Sequence, residues 1–115
     1  MQLAVAQARD SVDVFFNAWR ENAETHSDFR VIVIMPSSAY GRDYVELSDI
    51  RQDMAGFLGK KSSGEDVPFL IADVADWQFK DGERYRGGFT RRAMIDIPDA
   101  DLSAIRSRYH ENPLP

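Results

Sequence analysis

Residues 43–61 read DYVELSDIRQDMAGFLGKK, and the secondary structure given to this stretch sets how many strands the sheet holds. Alternation over Asp43–Leu47 predicts a short strand. Ser48 is a good helix N-cap, with Asp49 in the first turn. Ile50, Met54, Phe57 and Leu58 then recur at helical spacing. Gly59, followed by Lys60 and Lys61, reads as a C-terminal stop at the negative end of a helix dipole. The stretch therefore predicts a helix over 48–58.

Toward the N-terminus, Phe29–Met35 (FRVIVIM) is rich in β-branched residues and predicts a central strand buried on both faces. Pro36 should end it, because proline has no N–H to donate. PSSAYGR (36–42) follows as a loop. Before the strand, Val5, Ala8, Val12, Phe15 or Phe16, Trp19 and Ala23 recur every three or four residues. That spacing predicts one helix over 3–24, with Asp10 and Ser11 as alternative caps for a start near residue 12. Neighbouring helical residues point about 100° apart, so Phe15 and Phe16 together imply a wide apolar face.

Toward the C-terminus, KKSSGED (60–66) reads as a polar surface loop. PFLIADVADWQF (68–79) predicts a strand with Phe69, Ile71, Ala75, Trp77 and Phe79 on one face and Asp73 as the odd member. KDGE (80–83) is a turn signal, and a returning strand is expected over 84–97, bent at Gly87 and Gly88. Asp99 caps a helix expected over 99–110. The expected fold is a single globular domain over 1–115 of the α+β class. Its sheet would be small, antiparallel or mixed, of three to five strands packed with about three helices.

Composition narrows the function classes. The chain has 115 residues, 43% hydrophobic and 29% charged, enough for a packed core. It has no cysteine, which removes disulfides, thiolate nucleophiles and cysteine zinc sites. No apolar run approaches the roughly 20 residues needed to span a bilayer. The N-terminus MQLAVAQARD has neither a basic n-region nor a long apolar h-region, so the expected location is the cytoplasm. The two histidines, His26 and His110, are far apart in sequence and read as exposed residues near helix ends. No metal or cofactor is expected.

Charge is distributed unevenly. From Lys80 to Arg92 five cations stand against two acids. The other 102 residues keep nine bases and 17 acids, a net charge of −8. The cationic stretch contains RYRGGFTRR (84–92), in which arginines and rings interleave. Arg84, Tyr85, Arg86, Phe89, Arg91 and Arg92 are accordingly the candidate binding surface. Such residues suit protein interfaces, and they also suit phosphates and stacked bases. Repulsion from an acidic body opposes nucleic acid, which favours a protein partner with an acidic surface, or a second copy of the chain. The acidic tracts Glu21–Asp28 and Asp99–Asp101 are the expected complement. Pairing of the arginines with the chain's own acids is the bland alternative.

Catalysis is the less favoured reading. Ser37 and Ser38 follow a central strand, but no Gly-x-Ser-x-Gly elbow or phosphate cradle surrounds them. Asp73 on an apolar face is a candidate acid. Inhibitors, immunity proteins and anti-defence proteins share this small, acidic, single-domain character, which is a class-level analogy. The expected function is protein–protein interaction through the arginine hairpin. Single-stranded nucleic acid or a nucleotide phosphate at the same hairpin is the alternative.

Overall fold

A computed structural model describes residues 2–21, 23–37, 41–54, 56–93 and 108–115. Two helices come first, α1 (Gln2–Asp10) and α2 (Val12–Glu21). The strands β1 (His26–Ser37), β2 (Gly41–Asp53), β3 (Gly56–Lys60) and β4 (Asp66–Phe69) follow. A 3-10 turn (Ile71–Asp73) leads to β5 (Val74–Asp81), β6 (Arg84–Gly87) and the short α3 (Phe89–Ala93). The strands form one six-stranded sheet in the order β4-β3-β2-β1-β5-β6, antiparallel throughout. This overturns the expected sheet of three to five strands. Among the described residues the three helices are short, and the sheet dominates.

The difference arises at 48–58, where β2 continues to Asp53 and β3 begins at Gly56. β2 pairs with β1 through residues 41–47 and with β3 through residues 48–53. The switch of partner occurs at a bulge between Ser48 and Arg51, with Asp49 at φ 49. Asp tolerates the left-handed region better than most residues. The Ser-Asp pair that looked like a helix cap therefore serves a bend in a strand. Phe57 and Gly59 are buried, while Met54 is 99% exposed, which breaks the helical stripe. Gly59 is no helix stop: a Cβ there would lie 2.7 Å from the Leu47 Cβ, so glycine lets β2 and β3 cross closely.

The expected N-terminal helix is two helices. At Ser11 the hydroxyl donates to the Gln7 carbonyl at 2.8 Å, a back-bond that competes with the helix ladder. α2 then packs against β5 and β1. Phe15 and Phe16 are both buried, Phe15 against Phe29 and Trp77 and Phe16 against Phe57. Both rings are thus used within the chain, while Val12, Val14 and Trp19 of the same helix are partly buried. Two indoles fix the helices: Trp19 Nε1 donates to the Ile50 carbonyl and Trp77 Nε1 to the Ala8 carbonyl, both at 3.1 Å.

β1 is central, between β2 and β5, with Val31 and Val33 fully buried. It runs past Pro36, which pairs with Arg42 in the last rungs of the β1–β2 hairpin. The strand expected over 68–79 is broken by the 3-10 turn. There the Asp73 carboxylate accepts the Leu70 N–H at 2.9 Å, and β5 starts at Val74. The Asp-Gly turn joins β5 to β6 as expected. The returning strand stops at Gly87, where α3 begins two residues later. Of the strand and helix expected over 84–97 and 99–110, residues 94–107 lie outside the described residues. Tyr109 makes a parallel bridge to Tyr85.

Gly87 sits at φ 78, and a Cβ there would overlap the Trp77 carbonyl oxygen and come within 2.5 Å of its ring. Gly82 has φ 69 and open space around it. Gly87→Ala is expected to cost about 3 kcal/mol or more and Gly82→Ala about 1 kcal/mol, read from urea denaturation midpoints at constant slope. Equal losses at the two positions would show that backbone angle alone, not the Trp77 contact, fixes the residue at 87.

Candidate functional site: the arginine hairpin and the outer face of the sheet

Cross-strand partners share a face. Tyr85 pairs with Lys80 and Arg86 with Phe79, so alternate hairpin residues face opposite sides of the sheet. On the outer face, away from α2, a hydrogen-bonded chain crosses several elements. The Tyr85 hydroxyl donates to Asp28. Arg30 donates from Nε to Asp28 at 2.8 Å and from Nη1 to Glu46 at 2.9 Å. Arg91 donates to the other oxygen of Glu46 at 2.5 Å. Asp28 has φ 48 within a β1 bulge between Ser27 and Arg30. Partial burial works to raise the Asp28 pKa, yet bonds from Tyr85 and Arg30 hold it below the usual value. Arg30, bonded to two carboxylates, is pushed well above the ordinary arginine value.

Arg86 and Arg92 bond largely to main-chain carbonyls. Arg86 donates to Asp81 Oδ2 at 3.1 Å and to the Asn112 carbonyl at 2.8 Å. Arg92 donates to the carbonyls of Gly87 at 2.6 Å and His110 at 2.5 Å, and lies 5.1 Å over the Tyr109 ring. Burial pulls its pKa below the usual arginine value. Phe89 is a core residue, 8% exposed and edge-on to Trp77. Of the six residues expected to form a contact surface, Arg84 is exposed. Tyr85, Arg86, Arg91 and Arg92 are half-buried, with side-chain partners inside the chain.

The carboxylate that matters structurally is Asp76, not Asp73. Asp76 is 2% exposed and accepts the N–H groups of Trp77, Phe89 and Thr90 as well as the Thr90 hydroxyl. It anchors the start of α3 to β5. Asp73 closes its own turn. Ser37 ends β1, and Ser38 lies outside the described residues, as do Asp99–Asp101. His26 opens β1, and His110 follows the helical residue Arg108 by two positions. His26 Nε2 is 3.5 Å from the Asp81 carboxylate and His110 Nε2 is 2.8 Å from the Asp81 carbonyl, so both meet one residue. Among the described residues no three potential ligands cluster for a metal, and no helix is long and apolar enough to cross a membrane.

Two open grooves flank the sheet. One, about 290 Å³, is lined by Arg30, Val45, Glu46, Ser48, Lys60, Lys61 and Ser62. Its lysines already face acids: Lys60 meets Asp66 at 3.1 Å and Lys61 meets Glu65 at 3.2 Å. The other, about 350 Å³, lies at the β3–β4 end. Phe57 and Phe69 form its floor, Met54, Pro68 and Leu70 its walls, and Asp53 and Asp73 its acidic rim. Met54, Leu70 and the adjacent Ile71 are exposed by 99%, 54% and 42%. Sequence reasoning missed this patch because it placed Met54 inside a helical stripe and Ile71 on a strand face.

Comparison with protein-family models, with curated proteins and with solved structures finds no match for this chain.

Arg86 is a part-buried member of the hairpin and Arg84 an exposed one. Arg86→Glu would face Asp81 and carbonyl oxygens with a second negative charge, and is expected to cost about 3 kcal/mol. Arg84→Glu should stay within about 0.5 kcal/mol of the parent protein. Thermal and urea unfolding of both variants check this. Asp28 has a folded pKa below its ordinary value of 3.8. Its stabilising contribution is therefore present above that value and lost as pH falls through the lower folded pKa. Tyr85→Phe removes one of the bonds, so the Asp28 pKa should rise toward 3.8 and acid unfolding should begin at higher pH. Carboxylate titration by NMR reads the shift directly.

Proposed function

We propose that this is a cytoplasmic protein-binding module that works by docking on another protein through the apolar groove at the β3–β4 end. The single observation that carries this reading is the patch of Met54, Leu70 and Ile71, contiguous with a groove floored by two phenylalanines. Exposed apolar side chains around a concave floor are costly to leave in water and are typical of interaction sites. A flexible methionine at the lip adapts to the shape of a partner.

Charge specifies the partner. Asp53 and Asp73 rim the groove, and the whole chain carries −5. The fitting ligand is a protein surface that presents an apolar side chain flanked by lysine or arginine. An inhibitor, immunity or anti-defence role belongs to this class of action. The hairpin supports it less well as a contact surface, since recruiting Arg86, Arg91 or Arg92 to a partner means breaking bonds within the chain. A phosphate ligand meets the same obstacle at the hairpin and in the groove of Arg30, Lys60 and Lys61.

The test starts from a partner isolated from the native host and then titrated, pure, into the isotope-labelled chain. Met54→Asp combined with Leu70→Asp changes only exposed side chains and should leave the fold intact by circular dichroism. It should weaken the complex at least tenfold, with parent-protein amide shifts centred on Gly56, Leu70 and Ile71. Undiminished affinity of the double variant, or shifts confined to residues 84–92, would overturn the reading.

A further inference from the structure

We propose that the Met54 thioether is a modification site, oxidised by peroxide to the sulfoxide, and that this oxidation switches off docking at the β3–β4 groove. The inference rests on the docking role proposed for that groove. Met54 stands at the tip of the β2–β3 hairpin, just past Asp53, which pairs with Gly56. It is 99% exposed and lines the groove together with Leu70. Its φ of 38 lies in the left-handed region, which glycine, asparagine and aspartate fill at lower cost. A methionine that buries almost nothing and holds a strained angle contributes little to its own fold. Strain kept at such a side chain points to a role outside the chain.

The sulfur inventory directs an oxidant to this residue. The chain has no cysteine, so no thiolate competes, and its four methionines are its only sulfur. Among the described residues the methionines are Met35 and Met54. Met35 is partly buried against the hydrophobic core, whereas Met54 is open to solvent. Oxidation of sulfur follows exposure. Among the described residues that line the groove, Met54 is also the one that carries sulfur; the others offer rings, aliphatic groups and carboxylates.

The step is a two-electron oxygen transfer. A lone pair of the Met54 sulfur attacks one oxygen of hydrogen peroxide, and the S–O bond forms as the O–O bond breaks. Sulfur is oxidised and the peroxide reduced; the proton of the transferred oxygen passes to the departing hydroxide, which leaves as water. The product is polar where the thioether was apolar. It stands at the most exposed point of the groove wall, in a groove whose rim already carries Asp53 and Asp73. An apolar side chain of the partner loses its contact with the methionine, and covering the sulfoxide oxygen without a donor is costly. A methionine sulfoxide reductase restores the thioether, so the switch is reversible.

The experiment treats the intact chain with dilute hydrogen peroxide and follows each methionine by mass spectrometry of its proteolytic peptides. Met54 should gain one oxygen at least about tenfold faster than Met35, with the circular dichroism spectrum unchanged. The oxidised chain is then titrated with the purified partner from the native host. It should bind about tenfold more weakly, and sulfoxide reductase should restore the affinity. In the Met54→Leu chain, whatever its own affinity, peroxide should produce no further change. The inference is overturned if Met35 oxidises as fast as Met54, or if the Met54 sulfoxide binds the partner as tightly as the thioether. It is also overturned if peroxide weakens binding by Met54→Leu as much as by the parent protein, because the effect would then lie at another methionine. Each of these outcomes leaves the docking role standing when Met54→Asp with Leu70→Asp loses the partner. Undiminished binding by that double variant overturns the docking role and the inference together.

Discussion

The volume of Trp77 constrains every layer of this protein. Its indole is fully buried, packs beside Phe15, Phe79 and Phe89, and donates to the Ala8 carbonyl of α1. Its own carbonyl accepts the Gly88 N–H. The strand that carries it is buried on both faces from Val74 to Phe79, so the opposite face must satisfy Asp76 and Gln78. Asp76 does so by capping α3 and Gln78 by accepting the Tyr109 hydroxyl. A large ring on one side of β5 and a polar pair on the other thereby dictate the bend at Gly87, the position of α3 and the course of the C-terminal segment. Breaking such an arrangement in one layer leaves buried polar groups unpaired in the next, which is the costly outcome.

Much of the sheet was legible in the sequence because its signals were local. The β-branched run 31–34 marks the central strand, and Asp81-Gly82 marks the hairpin. The stretch 48–58 was not legible for a physical reason. Ser-Asp is favoured at helix caps because these side chains bond nearby backbone and accept non-helical angles. A bulge with a left-handed residue asks for the same properties. Only the pairing partners β1 and β3, far apart in sequence, distinguish the two outcomes. The break at 71–73 was hidden similarly, since apolar residues on both sides of it continue a plausible alternation.

The candidate site was legible in composition and not in geometry. Counting charges singled out residues 80–92, but two kinds of acceptor for those charges were out of view. Asp28 and Glu46 look unremarkable in sequence, and they become partners only when the β1 bulge and the β2 register bring them beside Tyr85, Arg30 and Arg91. The carbonyls of His110 and Asn112 carry no sequence signature at all, since every residue has one. Arginine suits this role because its planar fork reaches several fixed acceptors at once and remains charged when half-buried.

These two findings bear on each other. An acidic chain with a basic hairpin looks like a dipole offered to a partner, yet most of the hairpin's positive charge is spent holding the chain's own elements. The acidic remainder of the surface includes Asp53 and Asp73, which line the groove together with apolar Met54 and Leu70. The two edges of the sheet differ in the same sense. The β6 edge is closed by a segment held through its backbone, whereas β4 is four residues long and contains Pro68, which donates no N–H. A short edge carrying proline resists strand addition.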